Sequence, residues 1–77
     1  MRPRKLALSP AQNEILLLLE EAGEEDMRTV TASVHIATEE LAVEIAALES
    51  LGFVQPVVTG GWPALMLTTK GRATLAR

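Results

Sequence analysis

A chain of 77 residues with 48% hydrophobic composition is one domain with a thin core, since folding at this size buries only about 60% of the surface the unfolded chain exposes. One Phe, one Trp and no Tyr leave that core to Leu, Ile, Val and Ala, and no deep catalytic cavity fits inside it. Cys is absent and His occurs once, which excludes disulfides, thiolate metal sites and any multi-histidine cluster within one chain. The net charge of −3 is unevenly spread: Arg2, Arg4 and Lys5 open the chain, Lys70, Arg72 and Arg77 close it, and all ten acids lie between Glu14 and Glu49 with Arg28 as the only base among them.

Residues 1–8 read as a basic arm, from which Leu6 and Leu8 are placed to dock on a core built by residues 9–77. No secretory signal is expected, because the apolar stretch after the basic start is short and broken by Ser9-Pro10. The longest apolar run, residues 15–19, is too short to span a bilayer, so a soluble, cytoplasmic protein is expected. At Ser9 a first helix begins: Ser9 caps it, Pro10 suits its first position and Gln12 completes a capping box. Ile15, Leu18, Leu19 and Ala22 are its expected inward stripe, with Gly23 as the stop. Leu16 and Leu17 are left over. They widen the apolar face, so this helix is either covered on two sides or meets a second subunit, and a homodimer through it is expected.

Residues 23–26 read as an acidic turn, with Asp26 available to cap a second helix. Residues 27–37 are ambiguous, since Val30, Val34 and Ala37 fit helical spacing while Val30, Ala32, Val34 and Ile36 alternate as in a strand. The spacing from Val30 through Val34 and Ile36 to Leu41 favours helix, turn, helix, with a short strand near residues 28–30 ahead of it. The third helix has the fullest signal. Thr38 is its expected cap, Glu39 and Glu40 sit where the helix dipole favours negative charge, Leu41, Ile45 and Leu48 form one stripe, and Gly52 ends it. Leu51 and Phe53 carry the packing across that glycine into an extended exit. Two aliphatic runs about Gly60-Gly61 then read as a hairpin, with Pro56 and Pro63 at edge or turn positions, and residues 69–77 as a short last helix or a tail. The expected class is mainly α with a small β-hairpin (α+β).

Two tracts carry a family likeness. Ala47-Leu48-Glu49-Ser50-Leu51-Gly52-Phe53-Val54 resembles the junction between recognition helix and wing in winged helix-turn-helix domains, and Leu67-Thr68-Thr69-Lys70-Gly71-Arg72 resembles the "Leu-Thr-x-x-Gly-Arg" that follows the wing in MarR- and PadR-like bacterial transcriptional regulators. The resemblance implies three helices followed by a two- or three-stranded wing. It also implies that residues 38–51 enter a DNA major groove and that the wing near residues 60–62 meets backbone or minor groove.

The composition of the third helix departs from that pattern. Opposite its buried stripe it presents Glu39, Val43, Ala46, Ala47 and Ser50, and residues 38–51 hold no Arg, Lys, Asn or Gln to read a base edge or hold a phosphate. Glu39, Glu40, Glu44 and Glu49 repel phosphate. Two readings follow. In one, Arg2, Arg4, Lys5, Arg28, Lys70 and Arg72, with Arg77, make backbone-led DNA contacts and Thr38 contributes weak sequence reading. In the other, Val43, Ala46 and Ala47, with Leu16, Leu17 and Trp62, form a surface for a protein partner or self-association.

Other features read plainly. His35 is a turn residue rather than a ligand, Gly60-Gly61 is a turn rather than a phosphate loop, and residues 24–26 are a solvated loop rather than a metal site. Trp62 either folds back as a lid on the core or projects as a contact. Ser9, Ser33 and Ser50 lack a general base other than His35, so no catalytic residue, metal or cofactor is expected.

Overall fold

The computed structural model describes residues 8–75. Its elements run α1 (Pro10–Ala22), β1 (Glu24–Asp26), α2 (Met27–Ser33), α3 (Thr38–Ser50), β2 (Val54–Thr59), β3 (Trp62–Leu67) and α4 (Thr69–Leu75). The three strands form one antiparallel sheet in the order β1-β3-β2, and the core lies between its inner face and the helices.

The capping box at α1 forms as its residues predict. Ser9 Oγ accepts from the Gln12 backbone N–H at 3.1 Å, and the Gln12 side-chain oxygen accepts from the Ser9 N–H at 3.0 Å. Ala11, Ile15, Leu16 and Leu19 are buried, whereas Ala22 is exposed and Leu18 only half-buried. Leu16 is thus a core residue, fully enclosed within one chain, and the expectation that it faces a partner is corrected. The stripe is rotated because α1 is packed by α3, α4 and β3 together.

The acidic segment expected as a turn is instead β1. It pairs with β3 through Glu24↔Met66, Glu25↔Leu65 and Asp26↔Ala64, although none of its three residues favours a strand. The otherwise free edge of β3 imposes the extended form. No strand occupies residues 28–30, which belong to α2, and Asp26 caps that helix by accepting from the Thr29 N–H at 3.0 Å.

Helix α3 buries Leu41, Ile45 and Leu48 as the pattern requires, but its N-cap is Ala37, with no side-chain hydrogen bond, and Thr38 is its first helical residue. Its end is a full Schellman motif: the Phe53 N–H reaches Leu48 O and the Gly52 N–H reaches Glu49 O, each at 3.0 Å, with Gly52 at φ 80°. Phe53 and Leu48, one at each side of that turn, are both in the core.

The β2–β3 hairpin turns on Gly60 and Gly61, whose φ values of 58° and 83° are those of a two-residue primed turn. Pro56 lies on the outer strand β2, and Pro63 lies on β3 just beyond the reach of β1, so neither proline leaves a ladder acceptor unmet. Thr68 explains the following motif. Its hydroxyl donates to Gly52 O at 2.6 Å and accepts from the Gly71 N–H at 2.9 Å, while its own N–H donates to Phe53 O at 3.0 Å. Gly71 is buried against the Phe53 carbonyl, leaving no space for a Cβ. The motif therefore fastens α4 to the end of α3.

Candidate nucleic-acid and partner interface

The outer face of α3 is apolar at its centre and acidic around it. Val43 is 67% exposed, Ala42 and Ala46 are exposed, Ala47 is half-buried, and Glu39, Glu40, Glu49 and Ser50 face outward. Glu44 is different. Its Oε1 accepts from Gln12 Nε2 at 2.8 Å and lies 3.5 Å from Ser9 Oγ, so this carboxylate joins the first turn of α1 to the middle of α3. All four helix glutamates keep their charge, but Glu44 also serves as a tie between helices, a role invisible in the spacing of charges alone. Thr38 is exposed at the start of the helix.

The basic candidates do not converge. Arg2, Arg4 and Lys5 lie outside the described residues, as does Arg77. Lys70 and Arg72 are exposed on α4, with Lys70 Nζ 5.8 Å from the Phe53 ring centre at the base of the hairpin. Arg28 sits toward the other end. Strands the length of β2 and β3 separate the two positions by about 17 Å. The Arg28 guanidinium carbon is 4.0 Å from the centre of the Trp62 ring, and its Nε is 3.8 Å from Asp26 Oδ1. Trp62 is neither a core lid nor a bare projection: it is 50% exposed, with a cation over its ring. The Thr29 backbone N–H, and secondarily Arg28, hold the Asp26 carboxyl below its ordinary pKa.

Two exposed aliphatics complete the surface. Leu17 is 49% exposed on α1, in keeping with a residue left over from the core, and Val58 is 76% exposed on β2. Val58 was not singled out by pattern, because it shares a strand face with the buried Val54. The hairpin simply extends past the core at that point. His35 is exposed, with Nδ1 4.0 Å from Glu14 Oε2. Among the described residues no group of acids or histidines is arranged to hold a metal ion, and no helix is long and apolar enough to cross a membrane.

Comparison with protein-family models and with curated proteins finds no match. Solved structures do match. The transcriptional repressor CouR, solved bound to a 23-mer DNA duplex, is 34% identical, with a TM-score of 0.82 over 92% of this chain and 52% of that one. BpsR of Bordetella bronchiseptica, whose DNA binding is regulated by 6-hydroxynicotinic acid, is 22% identical, with a TM-score of 0.78 over 90% of this chain and 51% of its own. A MarR-family transcriptional regulator from Silicibacter pomeroyi is 24% identical, with a TM-score of 0.79 over 91% and 49% of the respective chains. The chain spans about half the length of these structures. Its order of helices and its three-stranded antiparallel sheet with a glycine-turned hairpin make it a winged helix-turn-helix domain with a MarR-like fold.

Proposed function

We propose that this chain is the winged-helix part of a transcriptional regulator and that it engages duplex DNA chiefly through the phosphate backbone. The likeness to CouR, a repressor solved on DNA, carries the reading. The surface of α3 sets its mode: Val43, Ala46 and Ala47 offer no donor to a base edge, and Glu39, Glu40, Glu44 and Glu49 oppose the duplex charge, so affinity rests on cations outside that helix. Arg2, Arg4, Lys5, Arg28, Lys70 and Arg72 are those cations, with Thr38 as the one uncharged polar side chain in the first turn of α3. The reading includes no catalytic step and no cofactor.

A titration of the purified chain against random-sequence duplex at low salt, followed by a salt series, tests this. Binding that weakens steeply with salt is expected, and loss of affinity on neutralising Arg2, Arg4 and Lys5 together is expected from the arm. A folded protein that does not bind at low salt refutes the reading.

The exposure of Val43 among alanines favours a second reading, in which the α3 face docks a protein or a second copy of the chain. Leu17 is the corresponding candidate on α1 for a homodimer. Solution mass, measured in the same buffers for wild type, Leu17→Glu and Val43→Glu, separates these surfaces. A monomer in all three excludes self-association through either.

A further inference from the structure

The hairpin of a winged helix is here without a cation of its own: residues 54–67 contain no Lys or Arg, and its tip is Gly60-Gly61. The start of α2 brings one to it. Strand β1 ends at Asp26 opposite Ala64, and α2 begins at Met27, so Arg28 in its first turn stands beside the part of β3 that holds Trp62. The guanidinium lies 4.0 Å over the ring, while 66% of the Arg28 side chain stays open to solvent. The hairpin is tied down next to this pair, because Thr59, paired with Trp62, donates its hydroxyl to Glu24 Oε2 at 2.6 Å. Asp26 holds Arg28 from the other side only through Nε at 3.8 Å, and among the described residues no acceptor occupies the terminal amino groups.

We infer that the Arg28–Trp62 stack is a preorganised phosphate contact, through which α2 supplies the wing with the cation that the wing sequence lacks. The planar guanidinium gives one face to the indole and keeps its N–H edge for a phosphate oxygen, a division that a lysine cannot reproduce. Stacking removes rotamers that a free arginine would lose on binding. Trp62 is thereby a positioning residue for Arg28. This inference rests on the DNA-binding reading above and adds to it which residue serves the wing.

The test uses the 77-residue chain, random-sequence duplex and a salt series, with Arg28→Ala, Arg28→Lys, Trp62→Leu and the double variant Arg28→Ala/Trp62→Leu. Arg28→Ala is expected to make the slope of log K against log salt shallower by about 0.9, the value of one phosphate contact. Trp62→Leu is expected to keep the slope and weaken binding about two- to fivefold, the worth of an exposed cation–π contact, and to have no further effect once Arg28 is alanine. Arg28→Lys should restore the slope but not the affinity. Emission from Trp62, the only tryptophan, should change along the binding isotherm. Wild-type binding with an unchanged slope in Arg28→Ala overturns the inference and leaves the DNA reading standing, as does an equal effect of Trp62→Leu in both backgrounds. Equal, Arg28-dependent binding of polyglutamate overturns the assignment to nucleic acid. Failure of the folded wild type to bind duplex at all overturns both.

Discussion

Replacing Gly71 by alanine sets two effects of opposite sign against each other, and the structure decides between them. Alanine in a helix is favoured over glycine by about 1 kcal/mol, so α4 taken alone would gain. A Cβ on Gly71, however, would overlap the Phe53 carbonyl oxygen and press on Leu67 Cδ1, and that carbonyl is backbone fixed at the end of α3. It also accepts the Thr68 N–H at 3.0 Å. Overpacking costs typically ~1–3 kcal/mol and a weakened hydrogen bond ~1 kcal/mol, so the expected net loss is roughly 1–3 kcal/mol. Against a total of about 4–12 kcal/mol for a domain of this length, that is a large fraction. The thermal midpoint should fall by roughly 4–8 °C per kcal/mol, with the urea midpoint falling at constant slope. Ala73→Gly, at an exposed position of the same helix, is the control and should lose only about 1 kcal/mol. A Gly71→Ala protein as stable as wild type would show that propensity outweighs the close approach, and the account of the motif would fail.

Three further outcomes follow from neighbouring geometry. Thr68→Val removes the hydroxyl bridging Gly52 O and the Gly71 N–H, and chemical denaturation should register a loss of about 1–2 kcal/mol. Asp26 has a lowered carboxyl pKa, so its contribution is full above the unfolded value near 3.8 and disappears as pH falls through the lower folded value. Asp26→Asn, which can still cap α2, should therefore flatten the acid limb of the stability–pH curve, and an unchanged limb would assign that slope to other carboxylates. Ala46→Lys places a cation on the exposed outer face of α3 and should tighten low-salt duplex binding while steepening the salt slope by about 0.9. Unchanged affinity would mean that α3 does not face the duplex.

The helices and the hairpin could be read from sequence because each carries its own local signal. The Ser9–Gln12 capping box, the Leu41, Ile45, Leu48 stripe and Gly60-Gly61 act within a few residues of themselves. Strand β1 gave no such signal, since Glu24–Asp26 is extended only because β3 offers it an edge. Leu16 was misplaced for a related reason: five successive aliphatics in α1 define no unique face, and only the packing of α3, α4 and β3 around the helix selects Leu16 over Ala22. At the candidate interface the residue types were evident but their pairings were not. Arg28 and Trp62 lie 34 positions apart (62 − 28) and were assigned to different kinds of partner, yet they form one stack. The tie of Glu44 to α1 is likewise absent from the sequence, because charge does not distinguish a residue held by a distant helix from a free one.

The hydrogen bonds of Glu44 to the first turn of α1 make that turn a part of the α3 surface. Helix ends fray more readily than helix centres open. Each time the turn at Ser9 and Gln12 unwinds, the Glu44 carboxylate exchanges two neutral donors for water and keeps its charge, so what is lost is the tie between α1 and α3 and not any repulsion of a polyanion. Fraying of the first turn of α1 is thus felt as a looser α1–α3 contact. Hydrogen exchange at the Gln12 amide would report that fluctuation.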